Sequence, residues 1–124
     1  MRQSWFVAAM ELYTLHKSVE CLAEDHTRAK RLGQELFRHG LQLMRNGQLE
    51  SNLVFFALPS DCAYTKEEFV RKLSNDLNIK IGSGYSTTYQ EGGNYFRAEV
   101  HMDVDEEGIY RAAEATVALA TGQL

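Results

Sequence analysis

The sequence predicts an α+β domain, a two-layer sandwich with helices on one face of a small, mainly antiparallel sheet. Three observations predict it. Apolar residues recur at helical spacing through the first forty positions; a continuous apolar run and then strict alternation follow from Asn52; and a last helical period closes the chain. The expected order is α-α-β-α-β-β-α. There is no internal repeat, and residues 1–124 read as one domain: an apolar helical segment over 1–17 and a small α+β unit over 18–124.

Trp5, Phe6, Ala8, Ala9, Leu12, Tyr13 and Leu15 make the first helical segment. His16-Lys17-Ser18 is read as a break, with Ser18 capping the next helix. Val19, Leu22, Ala23, His26, Ala29, Leu32, Gly33, Leu36 and Phe37 form the apolar stripe of that second helix, and Gly40 suits its C-terminal stop. Leu53 to Leu58 is a buried strand between turn residues. Thr65-Lys66-Glu67-Glu68 fits a capping box, opening a helix that ends near Asn78. A short strand starts at Ile79 to Ile81. From Tyr95 to Val104 the residues alternate, Phe96, Ala98, Val100 and Met102 on one face, Arg97, Glu99, His101 and Asp103 on the other. Asp105 caps a last helix, whose first turn holds Glu106 and Glu107 where the helix dipole favours negative charge.

Composition narrows the function. The 17 acidic and 13 basic side chains leave a net charge of −4, which opposes broad attraction to a phosphate backbone or an anionic membrane. Neither nucleic acid nor membrane is an expected partner, and no apolar run approaches the ~20 residues of a membrane span. Glu11 interrupts any signal-peptide core, so a cytoplasmic location is expected, with Cys21 and Cys62 as reduced thiols.

Arg97 stands out among candidate functional residues. A guanidinium on the polar face of a central strand can grip a carboxylate through two parallel hydrogen bonds. The alternative is an ordinary ion pair with Glu99 or Asp103. His101 and Asp103 supply only two potential metal ligands, so no metal site is expected. His16 and His39 read as helix-end residues, and His26 as a stripe residue beside the core. Gly82-Ser83-Gly84 and Gly92-Gly93 bracket a polar stretch, Tyr85 to Glu91, that lacks phosphate-loop spacing and reads as a hairpin-like connection. Trp5, Phe6, Met10 and Tyr13 are a large aromatic and apolar load for the start of a small domain. Each is expected in the core, with burial against a further chain as the alternative.

Several of these segments resemble the second half of L-threonine aldolases. Met1-Arg2-Gln3 leads into an Ala-rich helix, followed by Val19-Glu20-Cys21-Leu22-Ala23-Glu24-Asp25-His26 and Ala29-Lys30-Arg31-Leu32. Ser51-Asn52-Leu53-Val54-Phe55-Phe56 is similar to that family's Thr-Asn-hydrophobic strand, and Arg97-Ala98-Glu99-Val100-His101-Met102-Asp103-Val104 to its closing Arg-x-x-Thr-His-x-Asp-Val segment. The matches keep the family's order over nearly the whole chain.

The resemblance implies the C-terminal small domain of a pyridoxal-phosphate enzyme with the aspartate-aminotransferase-like fold, usually a homotetramer, that cleaves threonine or allo-threonine to glycine and acetaldehyde. The cofactor ring would serve as the electron sink for the glycine carbanion. By the same resemblance Arg97 binds the substrate's α-carboxylate, and Arg2 reaches the cofactor phosphate of a neighbouring subunit. The family's large domain, which carries the Schiff-base lysine, has no counterpart here, and none of Lys17, Lys30, Lys66, Lys72 or Lys80 stands in that lysine's sequence context. The chain alone is therefore expected to bind no pyridoxal phosphate and to be inactive. Glu99 departs from the apolar residue usual at its position. A free-standing α+β binding or oligomerisation module without catalysis is the alternative reading.

Overall fold

A single helix of 35 residues, α1 (Ser4–Arg38), opens the chain in the computed structural model, which describes residues 3–83 and 95–123. The expected break at His16-Lys17-Ser18 does not occur. None of the three is Gly or Pro, and polar side chains along α1 bond back to carbonyls one turn earlier, Thr14 to Met10 at 2.9 Å and Thr27 to Ala23 at 2.9 Å, so they sit within the helix without ending it. At about 1.5 Å per residue the helix is roughly 50 Å long. It stops where the sequence says it should. Gly40 takes φ +88°, the Gly40 amide donates to the Phe37 carbonyl, and the Leu41 amide donates to Leu36. Leu36 and Leu41, both buried, supply the apolar contact that accompanies this left-handed cap.

The remaining elements are β1 (Gln42–Leu43), a 3-10 turn (Met44–Gly47), β2 (Leu53–Ala57), α2 (Lys66–Leu77), β3 (Gly82–Ser83), β4 (Tyr95–Glu99) and α3 (Glu106–Ala120). The four strands lie in the order β1-β2-β4-β3, every neighbouring pair antiparallel. Across the central pair Val54 faces Ala98, Phe55 faces Arg97 and Phe56 faces Phe96. Val54, Phe56, Phe96 and Ala98 are buried and share one core with Ala29, Leu32 and Leu36 of α1, Phe69 and Leu73 of α2, and Ile109 and Ala113 of α3. Leu53, Phe55, Tyr95 and Arg97 project from the opposite face and are half-buried. The expected α+β architecture, helices on one face of an antiparallel sheet, is the one observed.

The caps predicted at Thr65 and Asp105 form, whereas Ser18, within the continuous α1, caps nothing. Thr65 Oγ1 accepts from the Glu68 amide at 3.4 Å while Glu68 Oε2 accepts from the Thr65 amide at 3.0 Å. Asp105 Oδ1 accepts from the Gly108 amide at 2.8 Å. Asn78 ends α2 in the left-handed region at φ 54°.

Other expectations need correction. The last strand ends at Glu99, because the Val104 amide donates to the His101 carbonyl at 2.8 Å and turns the chain there. His101, Met102 and Asp103 are consequently exposed turn residues. The strand expected at Ile79 to Ile81 begins instead at Gly82, and β1 was too short to leave a periodic signal. Val19, Leu22 and Phe37 are exposed, since the buried side of α1 runs through Asp25, Ala29, Leu32, Gly33 and Leu36. Trp5, Phe6, Met10 and Tyr13 are exposed as well and form no part of the core. His39 is the C-cap of α1, whereas His16 lies in mid-helix.

Candidate functional site

The outer face of the sheet, opposite the helices, carries Arg97. Strand parity puts it there: Phe96 and Ala98 point into the core, so the residue between them points away. In register it stands between Phe55 of β2 and Gly82 of β3. A Cβ at position 82 would lie 3.5 Å from Arg97 Nε and 3.6 Å from Nη2, so the guanidinium extends over the bare backbone of β3. Half-buried, with Phe55 and Gly82 as its register neighbours, Arg97 is a directed cation on a central strand. Such a placement suits bidentate recognition of a planar carboxylate.

The C-terminal end of β4 is fixed by Asn52. Its backbone carbonyl accepts from the Val100 amide at 2.9 Å, and its side-chain Nδ2 donates to the Val100 carbonyl at 2.9 Å. One residue thus satisfies both backbone groups of Val100 where the ladder ends, and holds the strand that bears Arg97. Glu99, on the outer face two residues from Arg97, is exposed and borders a cleft of about 420 Å³ together with Lys80, Asp103, Asp105 and Arg111. His101 Nδ1 and Asp103 Oδ2 lie 3.5 Å apart, both well exposed, so they form a surface pair at the turn. Among the described residues, no three His, Cys, Asp or Glu side chains gather as a metal site would require.

The lysines are dispersed. Lys17 and Lys30 are exposed along α1, Lys66 and Lys72 lie on α2 with their ammonium groups 5.4 Å from the Phe96 ring centroid and 5.3 Å from that of Tyr64, and Lys80 precedes β3. Cys21 and Cys62 are free thiols. Arg2 and the stretch Tyr85 to Glu91 lie outside the described residues.

Two features escaped sequence reasoning. Asp25, in the middle of the stripe region, is buried, and its Oδ1 has no hydrogen-bond partner; Arg28 Nη1 is 3.8 Å away. Periodicity alone does not flag it, because a carboxylate at a core-facing position reads as an error in the pattern. His26 Nε2 lies 3.2 Å from the Leu49 carbonyl, joining α1 to the segment before β2, a contact between residues 23 positions apart that has no local signature.

Comparison with known proteins places this architecture. No family's sequence profile matches the chain, and no curated protein matches it by sequence. Among solved structures it is similar to the crystal structure of an alanine–glyoxylate aminotransferase from Nostoc sp., with a TM-score of 0.67 and 18% identity. The match covers 90% of this chain and 29% of the aminotransferase. The chain therefore shares the fold of a portion of that protein, and it spans less than a third of the length of that structural neighbour. No helix among the described residues is long and apolar enough to cross a membrane.

Proposed function

We propose that this chain is the C-terminal small domain of a threonine-aldolase-like, pyridoxal-phosphate-dependent lyase, and that its contribution to the active site is Arg97. In this reading the guanidinium receives the α-carboxylate of a small amino acid, threonine or allo-threonine, and orients it for cleavage to glycine and acetaldehyde. The observation that carries the reading is the position of Arg97 on the helix-free face of the central strand pair, over Gly82, in a fold shared with an aminotransferase.

The described residues suit the substrate's carboxylate and do not by themselves make a cofactor site. Neither β2 nor β4 carries a lysine, and two of the lysines, Lys66 and Lys72, lie over aromatic rings. The cofactor lysine and the ring-binding groups would come from a large domain outside this chain, with Arg2 reaching the phosphate in a neighbouring subunit of a homo-oligomer. Alone, the chain would bind and not catalyse. Glu99 sits on the same strand face, where its charge would lower the attraction of Arg97 for a carboxylate.

The test is a fusion of this chain behind the large domain of a threonine aldolase, assayed for acetaldehyde release from threonine. The fused enzyme should hold the cofactor, shown by its visible absorption, and cleave threonine. Loss of a charged bidentate contact worth about 1.5–3 kcal/mol predicts that Arg97→Ala lowers kcat/KM roughly 10- to 100-fold, with Arg97→Lys only partly restoring it. An active fusion whose kcat/KM is untouched by Arg97→Ala removes the assignment.

A second reading, a free-standing binding or oligomerisation module, is favoured by the exposed apolar half of α1.

A further inference from the structure

Gly82 pairs with Arg97 and Ser83 with Phe96. Carried past the end of the ladder, the same antiparallel count sets Ile81 level with Ala98, Lys80 with Glu99 and Ile79 with Val100. All six border the cleft of about 420 Å³, which opens where the two segments part. Ile79 is buried and Ile81 half-buried, while Lys80 between them is exposed, the alternation of an extended chain. Lys80 and Glu99 are thus the exposed side chains on opposite banks of one gap. Arg97 is turned elsewhere: its guanidinium reaches across to β3 over Gly82, not along β4 towards Glu99.

The other charges of the cleft have nearer counterparts. Asp105 Oδ1 accepts from the Gly108 amide at 2.8 Å, and Asp103 Oδ2 lies 3.5 Å from His101 Nδ1. Glu107 stands four residues before Arg111 on α3, the order in which an acid and a base support a helix. Lys80 and Glu99 are left to each other, and the four-carbon stem of the lysine gives its ammonium the reach to follow the carboxylate across the gap.

We propose that Lys80 is a positioning residue for the Arg97 site. Its ammonium takes up the charge of Glu99, so that the anion Arg97 meets is the carboxylate of the substrate. This rests on the reading of Arg97 as the carboxylate receptor, and it accounts for an acid being tolerated two residues away on the same strand face. Two charges about 7 Å apart, the spacing of such neighbours on a strand, change an equilibrium roughly threefold in water and more where solvent is partly excluded.

The experiment has two arms. In the fusion with a threonine aldolase large domain, Lys80→Met should raise KM for threonine roughly three- to sevenfold at unchanged kcat, and Lys80→Arg should restore it. In a Glu99→Gln background the same Lys80→Met change should have no effect. In the chain alone, a double-mutant cycle of Lys80→Met and Glu99→Gln, read by urea unfolding at low salt, should show a coupling of roughly 1.5- to 5-fold in the unfolding constant, lost in high salt. A Lys80→Met effect of equal size in both backgrounds would show the lysine acting on substrate directly and would overturn the proposal. So would an absence of coupling in the chain alone, whatever the fusion does. The two readings fail separately: an active fusion indifferent to Arg97→Ala removes the carboxylate receptor itself, whereas one that depends on Arg97 and ignores Lys80→Met removes only the role of Lys80.

Discussion

Phe96 is the residue on which the sheet and its candidate site depend most directly. It is 1% exposed, and its ring is stacked on Phe56 with centroids 5.5 Å apart and tilted against Phe69 at 5.3 Å. It thus ties β4 to β2 on one side and to α2 on the other, and it is the chain neighbour of Arg97. Truncation to Ala removes a buried ring from a site that three elements enclose, so the cavity can close only in part. The expected loss is about 4 kcal/mol, the middle of the range for buried aromatic truncations, of which roughly 1 kcal/mol reflects the lost ring-to-ring geometry. That is a large fraction of the ~5–15 kcal/mol that holds a domain together. Urea unfolding followed by circular dichroism is the assay, because Trp5 lies on the exposed half of α1 and does not report on the core. With a slope of about 1.5 kcal/mol/M the midpoint should fall by roughly 2.5 M. Phe96→Leu keeps most of the volume and should lose only about 1–1.5 kcal/mol. A loss below about 1.5 kcal/mol for Phe96→Ala would refute the claim that this ring is the junction of the three elements.

Two further predictions follow from polar contacts. Asn52→Ala leaves the Val100 carbonyl without its side-chain donor and should cost about 1–3 kcal/mol in the same unfolding experiment, with faster amide exchange at the end of β4; exchange rates like those of the parent would show that the Asn52 side chain does not secure the strand. The backbone and side-chain hydrogen bonds from Thr65 hold the Glu68 carboxyl below its ordinary value. A lowered folded value means that the contribution is complete above the ordinary carboxylate range and is lost as pH falls through the depressed value, so the stability difference between the parent and Glu68→Gln should be constant near neutrality and shrink on acidification. A difference independent of pH across that interval would show that the ionised carboxylate is not the group that closes the cap.

Local patterns carried much of the architecture. The capping box at Thr65, the cap at Asp105 and the stop at Gly40 all involve partners within a few residues, which is why a linear reading finds them. The alternation Phe96-Arg97-Ala98 likewise settles which face Arg97 occupies, because side-chain direction along a strand is a property of the backbone. The anchoring of Val100 at the end of β4 was not legible, since its partner Asn52 lies 48 positions away. The two-residue β1 was illegible for a different reason: it is a strand only because β2 lies beside it.

The sequence by itself determined the α+β class, the helix limits at both caps of the later helices, and the presence of one arginine between buried residues on the central strand. Only the tertiary structure decided that Gly82 of β3 lies against that arginine, leaving room for the guanidinium, because strand order is set by pairing between distant segments. It also decided the fate of α1. Its apolar repeat is continuous from Trp5 to Leu36, and repetition alone cannot distinguish a covered half from a bare one; the sheet and α3 reach only as far as the C-terminal half, and burial follows from where those elements end.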